Sequence, residues 1–340
     1  MSKRKEDGKA QVPDPKEERF RGKIDYLRVS VTDRCNLRCI YCMPEEGVKL
    51  LPPEKILSYE ELTILCRAAA RMGIGKVRIT GGEPLVRKNI VDFVEMLSGI
   101  VPAVDISITT NGVLLSEYAE SLKAVGLNRI NISLDALDPE TYRLITKRDG
   151  FAAVMKGINK ALEVGMSPVK INVVALKGTN DDPSPFIDLT RILPVHVRFI
   201  EYMPQFGNAK NLMFVSGKEI MERIRSIFPL EETREIEAWG PAKKHYRVKG
   251  ALGTFALISP VSSHFCSDCN RLRVSCNGKL RACLFDSDGI DVGRILRVSD
   301  DIEEIAEIIK KQLSRKRKEF SNRSFLDKSG FAGWMSSIGG

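Results

Sequence analysis

The sequence predicts an α/β protein: a partial (β/α)6 TIM-like barrel followed by an α+β extension. Six short runs rich in β-branched residues recur along the first 202 positions. Amphipathic helix patterns lie between them, which implies a parallel sheet with helices outside. Past about residue 215 the alternation stops, and six units are too few for a complete eightfold barrel.

Residues 1–19 read as a disordered, solvated tail. They carry Glu6, Asp7, Asp14, Glu17 and Glu18 and lack an apolar core, so they resemble neither a signal nor a transit peptide. The barrel is assigned to 20–215. Its first strand is YLRVSV (26–31). Ser58 and Glu61 form a capping box for a helix over 58–72, where Leu62, Leu65, Cys66, Ala69 and Met72 share a face and Gly73 ends it. KVRIT (76–80) and VDISITT (104–110) are the next strands, and a helix over 116–125 stops at Gly126. NRINISL (128–134) precedes a helix over 151–164, with Val154, Ile158 and Leu162 on one stripe. VKINVV (169–174) and VRFIEY (197–202) complete the six strands.

The extension, 216–340, opens with a helix over 218–227. RLRVSC (271–276) and KLRACL (279–284) flank Asn277-Gly278, the signature of a two-residue hairpin turn. A helix near 301–313 leads into Arg315, Lys316, Arg317 and Lys318, read as a solvated face in preference to a polyanion site.

Hydrophobic residues at 43% exclude a chain disordered throughout. No apolar run approaches the roughly 18 residues of a membrane span, so no membrane partner is expected. Lys and Arg number 53 against 44 Asp and Glu, a formal +9. That balance raises a nucleic-acid partner, but no RNA-binding motif with interleaved aromatics is present, and none is expected. The eight cysteines are too sparse for a disulfide scaffold. In a leaderless chain they suggest a cytoplasmic location, where clustered thiols bind metal or do redox work.

The chemistry-bearing motifs sit at strand ends. Cys35, Cys39 and Cys42 follow the first strand; three thiolates on one loop can hold three irons of a cubane and leave the fourth open. Gly81-Gly82-Glu83-Pro84 follows the second strand, where glycine lets backbone approach a ligand and an exposed carbonyl can accept from an ammonium. Thr109, Thr110 and Asn111 end the third strand, Ser133 and Asp135 the fourth, and Met203 follows the sixth. Polar clusters at one end of successive strands are what a barrel active-site face requires. A second trio, Cys266, Cys269 and Cys283, lies in the extension, where the expected hairpin pairs Cys276 near Lys279 and brings Cys269 and Cys283 together. Cys276 lies about 13 Å further along at strand rise and reads as a packed thiol. A zinc site closed by His264 is the alternative there.

Charge is also misplaced. Arg28, Lys76, Arg78, Lys170 and Arg198 lie in otherwise apolar strands, and Arg271 and Arg273 share a face of the hairpin. Buried unpaired cations cost several kcal/mol, so they need anions: either internal carboxylates or a polyanionic ligand, and seven of them favour a triphosphate.

The first cysteine motif, with Tyr41 and Gly81-Gly82-Glu83-Pro84, resembles the signature of the radical S-adenosylmethionine (SAM) enzymes. With the second trio, Asn270-Arg271-Leu272-Arg273 and the terminal Gly339-Gly340, the chain from about Arg28 onward resembles the GTP 3′,8-cyclase (MoaA) family of molybdenum cofactor biosynthesis. The resemblance implies a radical SAM partial barrel whose open side is closed by an extension with a second [4Fe-4S] cluster. It implies SAM on the first cluster, held by Tyr41, Gly82, Ser133 and Met203. It implies GTP between the clusters, bound by Arg28, Arg78, Thr109, Lys170, Arg271, Leu272 and Arg273, with Lys76 and Arg198 assisting. Arg28, Arg271, Arg273, Gly339 and Gly340 are the implied catalytic residues, the diglycine supporting SAM cleavage. The implied reaction converts GTP to 3′,8-cyclo-7,8-dihydro-GTP, with an external electron donor and cyclic pyranopterin monophosphate synthase downstream. Oligomeric state is left open, with a homodimer admitted. Two other readings remain: a radical SAM enzyme acting on a peptide or other small molecule, and an electron carrier with two clusters.

Overall fold

The computed structural model describes residues 23–203, 213–233, 242, 244–263, 265–284, 286 and 289–320. The expected tail, His264, Gly339 and Gly340 lie outside the described residues. Six parallel strands pair in chain order: β1 (Tyr26–Ser30), β2 (Lys76–Thr80), β3 (Asp105–Thr110), β4 (Arg129–Ser133), β5 (Val169–Ala175) and β6 (Val195–Glu201). Their connections carry α1 (Tyr59–Arg71), α2 (Ile90–Ser98), α3 (Leu115–Ala124), α4 (Pro139–Thr146), α5 (Phe151–Glu163) and α6 (Ser184–Ile192), and α7 (Gly217–Ile227) follows β6. The Ser58–Glu61 capping box closes α1, with Ser58 N donating to Glu61 at 2.6 Å and Glu61 N to Ser58 Oγ at 3.2 Å. The helix α4 had a legible start, since Asp138 caps it and Pro139 occupies its first position.

Strand period decides which face of the sheet does what. Leu27, Val29, Val77, Ile79, Ile108, Ile130 and Ile171 point into the main apolar core with Leu62, Leu65, Phe93, Leu122 and Ile158 of the helices. Each fully buried aliphatic side chain contributes about 1.5–3 kcal/mol to holding the layers together. The alternate positions, Arg28, Arg78, Thr109, Asn131, Lys170 and Arg198, face the opposite side and line a cavity.

The expected C-terminal extension joins the barrel sheet at both of its edges. It supplies β7 (Leu230–Thr233), β8 (His245–Val248), β9 (Thr254–Ile258), β10 (Arg271–Val274), β11 (Lys279–Arg281) and β12 (Ile290–Asp291) to the same sheet. The order is β12-β11-β10-β1-β2-β3-β4-β5-β6-β9-β8-β7. Because β10 runs parallel to β1 and β9 parallel to β6, the central strands β10, β1 to β6 and β9 all run one way. Sequence periodicity does not register this, since the partners lie far apart in the chain. The short helix α8 (Gly293–Leu296) and α9 (Ile302–Arg315) follow, and α9 passes into a π-helical turn, Lys316–Phe320.

Two expectations need correction here. The hairpin pairs Arg273 with Arg281 and Val274 with Leu280, one residue off the expected register. Ser275 N donates to Lys279 O at 3.0 Å, so the loop is Cys276-Asn277-Gly278, with Gly278 at φ +85°. A three-residue loop with glycine in the left-handed region replaces the two-residue turn. Cys276 is nevertheless a buried thiol, as expected. The basic run is not uniformly solvated: Lys316 is buried, and Arg315 pairs with buried Asp286 at 3.0 Å. Only Arg317 and Lys318 of the four are exposed.

Candidate functional site: a cavity between two cysteine trios

A cavity of about 840 Å³ runs along the inner face of the sheet. Cys35, Cys39 and Cys42 line it beyond the C-terminal end of β1, and Cys266, Cys269 and Cys283 line it where β10 begins. Tyr26 of β1 pairs with Arg271 of β10, so the second trio lies at the opposite end of β1 from the first. The five residues of β1 span about 17 Å at strand rise.

The first trio sits on a loop fixed at many points. Arg38 N donates to Thr146 O at 2.9 Å and Ile40 N to Ile145 O at 3.0 Å, which pins the loop to the end of α4. Arg38 Nη1 donates to Cys35 O and Leu37 O at 2.8 and 2.7 Å, and Leu51 N donates to Asp33 Oδ2 at 2.6 Å. The glycines after β2 serve this loop directly. Gly82 N donates to Thr32 O at 2.7 Å and Glu83 N to Arg34 O at 2.8 Å, and a Cβ at Gly82 would lie 2.3 Å from Arg34 O. Close backbone approach is thus required by the cysteine loop as well as by any ligand. The Glu83 carboxylate is occupied, accepting from Thr110 Oγ1 at 2.7 Å, Asn111 N at 2.6 Å and Leu85 N at 3.0 Å. Burial pushes it up to about 7 against those bonds.

Tyr41, Gly82, Ser133 and Met203 all line this end of the cavity. Tyr41 donates to Asp135 Oδ2 at 2.6 Å, and Val174 N donates to Oδ1 at 2.8 Å. Burial raises Asp135 to about 6. It also raises Cys35 to about 11 and, with Asp135 beside it, holds Cys39 well above its ordinary value. A bound cationic group would favour the thiolate form of these sulfurs. Among the described residues, no three His, Cys, Asp or Glu side chains converge on a single ion. Three thiols on one loop lining one end of the cavity have the donor chemistry of a [4Fe-4S] cluster, where each would bind a separate iron.

The middle of the cavity is cationic. Seven arginines and two lysines line it against four carboxylates. Across β10, β1 and β2, Arg273, Arg28 and Arg78 occupy one row. Three of the carboxylates are already engaged: Glu83 and Asp135 as above, and Glu201 by the backbone N–H groups of Gly217, Val261 and Ser262 and by the Ser262 hydroxyl. The fourth, Asp105, pairs with Arg129 at 3.1 Å. Lys76 lies 3.8 Å from Asp25. Arg78, Lys170, Arg198 and Arg271 make no salt bridge among the described residues; Arg78 donates to Ser107 at 3.2 Å and Arg198 to Asn131 at 2.5 Å. Thr109 Oγ1, Asn172 Oδ1, Arg198 Nε and Arg271 Nε are buried without a hydrogen-bond partner. Burial, and then the neighbouring cations, lower Lys170 to about 7 and Arg198 to about 9. Burial, then Arg271, lowers Arg273 to about 10. Four cations without a salt bridge among the described residues give the site the chemistry to hold an anion.

At the second trio burial raises the Cys269 thiol, but Lys316, Arg271, the Arg271 N–H and Arg273 together bring it down to about 6. Asp286 braces the Cys283 loop, donating from its N–H to Cys283 O at 3.2 Å and accepting from Ala282 N at 2.9 Å.

Residues 29–189 match the Radical SAM superfamily and residues 195–322 match Molybdenum Cofactor Synthesis C. The GTP 3′,8-cyclase of Desulforamulus reducens is 48% identical over 302 residues, covering 86% of this chain and 91% of its own. That of Moorella thermoacetica is 45% identical over 328 residues, covering 94% and 99%. The chain belongs to the GTP 3′,8-cyclase family. Its superfamily implies a [4Fe-4S] cluster and SAM as cofactors. The fold is shared more widely: the crystal structure of Streptococcus suis SuiB superposes with a TM-score of 0.59 at 15% identity, over 84% of this chain and 66% of that one.

Of the residues this cyclase-family reading picks out, the described ones converge on one cavity, with one exception. Leu272 is buried in the apolar core on the opposite face of β10 from Arg271 and Arg273, as strand period demands. Any contact it makes to a substrate would come from its backbone. Sequence reasoning missed Arg129, Asn131, Asn172 and His196, which line the same cavity. Their signal was polar residues at inward positions of β4 to β6. Lys316 was also missed, because a lysine in a basic run carries no mark of burial.

Proposed function

We propose that this chain is a GTP 3′,8-cyclase, converting GTP to 3′,8-cyclo-7,8-dihydro-GTP in the first step of molybdenum cofactor biosynthesis. The observation that carries the reading is the row of buried cations between two thiol trios in one cavity. Cys35, Cys39 and Cys42 would hold the first cluster, and Tyr41, Gly82, Ser133 and Met203 the SAM bound to it. Held there, the cluster would supply the electron for SAM cleavage, the chemistry from which hydrogen abstraction would start. Cys266, Cys269 and Cys283 would hold a second [4Fe-4S] cluster, with GTP between the two.

The chain's own residues bind and orient. Arg28, Arg78, Lys170, Arg198, Arg271 and Arg273, with Lys76 at the edge, neutralise the triphosphate, and guanidinium forks fix its direction. Thr109 and Asn172 offer buried polar atoms still in need of partners. Burial excludes water, so each charge contact is stronger than it would be in solvent. The terminal Gly339 and Gly340 would reach this site and support SAM cleavage. An external electron donor supplies the first cluster, and cyclic pyranopterin monophosphate synthase takes the product. A peptide substrate is less well matched, since it has no use for this many cations.

Anaerobic purification followed by iron and sulfide analysis tests the cluster assignment. About eight irons and eight sulfides per chain are expected for two cubanes; about four irons with one zinc would overturn the second cluster. Incubation with GTP, SAM and a low-potential reductant should yield the cyclised nucleotide by mass spectrometry. Deoxyadenosine without a cyclised product would overturn the substrate assignment.

A further inference from the structure

Lys316 opens the π-helical turn that ends α9. Its ammonium donates to Ala282 O at 2.8 Å and lies 3.4 Å from Cys269 Sγ. Ala282 immediately precedes Cys283. One side chain thus bridges the loops that carry two of the three thiols. The residue is 2% exposed and makes no salt bridge among the described residues. The nearby carboxylate, Asp286, already accepts from Arg315 at 3.0 Å, Gln312 at 3.2 Å and Ala282 N at 2.9 Å. Gln312 also donates to Leu280 O at 3.1 Å, which ties α9 to β11 and sets Lys316 in place. A buried ammonium held by one carbonyl and one sulfur is costly unless that sulfur carries negative charge.

We propose that Lys316 is a positioning residue for the Cys266, Cys269 and Cys283 centre, fixing the Cys269 sulfur and raising the reduction potential of the cluster held there. The inference rests on the second-cluster reading above. Reducing a cluster adds one negative charge, so a fixed cation and an N–H···S bond at a ligand sulfur favour the reduced form.

The test is an EPR-monitored redox titration without GTP, with the first cluster as internal reference. Lys316→Gln keeps a donor for Ala282 O and removes the charge; Lys316→Arg keeps the charge. In Lys316→Gln the second cluster should be at least tenfold less reduced at a given potential, a shift of 59 mV or more for a one-electron couple. The first cluster should not move, and Lys316→Arg should restore most of the shift. Full iron content with an unshifted potential in Lys316→Gln would overturn the inference while leaving the two-cluster reading intact. About four irons per chain in the unmodified protein would overturn both. Should Lys316→Gln fail to hold its second cluster, Lys316→Arg decides. Full iron and a near-normal potential there uphold the role of charge, and loss of the cluster there too overturns it.

Discussion

Lys170 faces a cavity that already holds Arg198, Arg78 and Arg129. Burial, and then those three cations, bring it to about 7 from an ordinary 10.5. A group titrating near 7 is about 90% uncharged at pH 8. A triphosphate beside it reverses the balance and restores the charged form. GTP is itself fully ionised at pH 8, since the second ionisation of a phosphate lies near 6. Binding should therefore take up about 0.9 proton per GTP at that pH. The sign follows directly. The complex holds more protons than its separated parts, so affinity falls as pH rises above about 7, by at most about tenfold per unit. Calorimetry in buffers of differing ionisation enthalpy reads the uptake, using cluster-loaded protein without SAM. Lys170→Arg keeps the cation but has no proton to gain, so uptake should vanish while GTP still binds. Uptake below about 0.2 proton in the unmodified protein, or uptake unchanged in Lys170→Arg, would refute the reasoning.

Gly82→Ala places a Cβ 2.3 Å from Arg34 O and 2.9 Å from Asp33 O. Both neighbours are backbone, so the cysteine loop must shift, and iron content should fall by about half, one cubane of two; normal iron would contradict this packing role. Arg271→Ala should depress cyclisation more than substrate-free SAM cleavage, compared by deoxyadenosine and cyclised nucleotide yields; equal loss of both would count against a GTP contact. Leu272→Ala removes a fully buried core side chain and should cost about 2–5 kcal/mol, seen as a lower denaturation midpoint with little change in KM for GTP. Removing Gly339 and Gly340 should leave iron content unchanged and lower activity; loss of a cluster would mean that the tail is structural.

Much of the barrel was legible because its signals are local. The cap at Ser58 and Glu61, the glycine stops at Gly73 and Gly126, and the β-branched runs each act within a few residues. The site was legible where its chemistry is unusual. Three thiols on one loop, or an arginine such as Arg28 inside an apolar strand, are hard to accommodate without a ligand to hold. Arg129, Asn131 and His196 were less visible, because a polar residue on a strand is ordinary until its face is known. Lys316 was invisible for the opposite reason, since its neighbours Arg317 and Lys318 are solvated and its own burial depends on how α9 docks against β11.

The sequence by itself determined the six barrel strands, the two cysteine trios and seven of the nine cations that line the cavity, because these follow from period and residue chemistry. The fold alone decided how they meet. Pairing of β10 with β1 and β9 with β6 joins segments more than 50 residues apart in sequence, and no local preference encodes such partners. That pairing sets Arg273 beside Arg28, puts the second trio at the far end of β1, and turns Leu272 into the core. The one-residue change of hairpin register has the same origin. Gly278 packs against Gly293, where a Cβ would lie 2.5 Å from the Gly293 Cα, so the loop's shape is set by a neighbour that the local sequence does not contain.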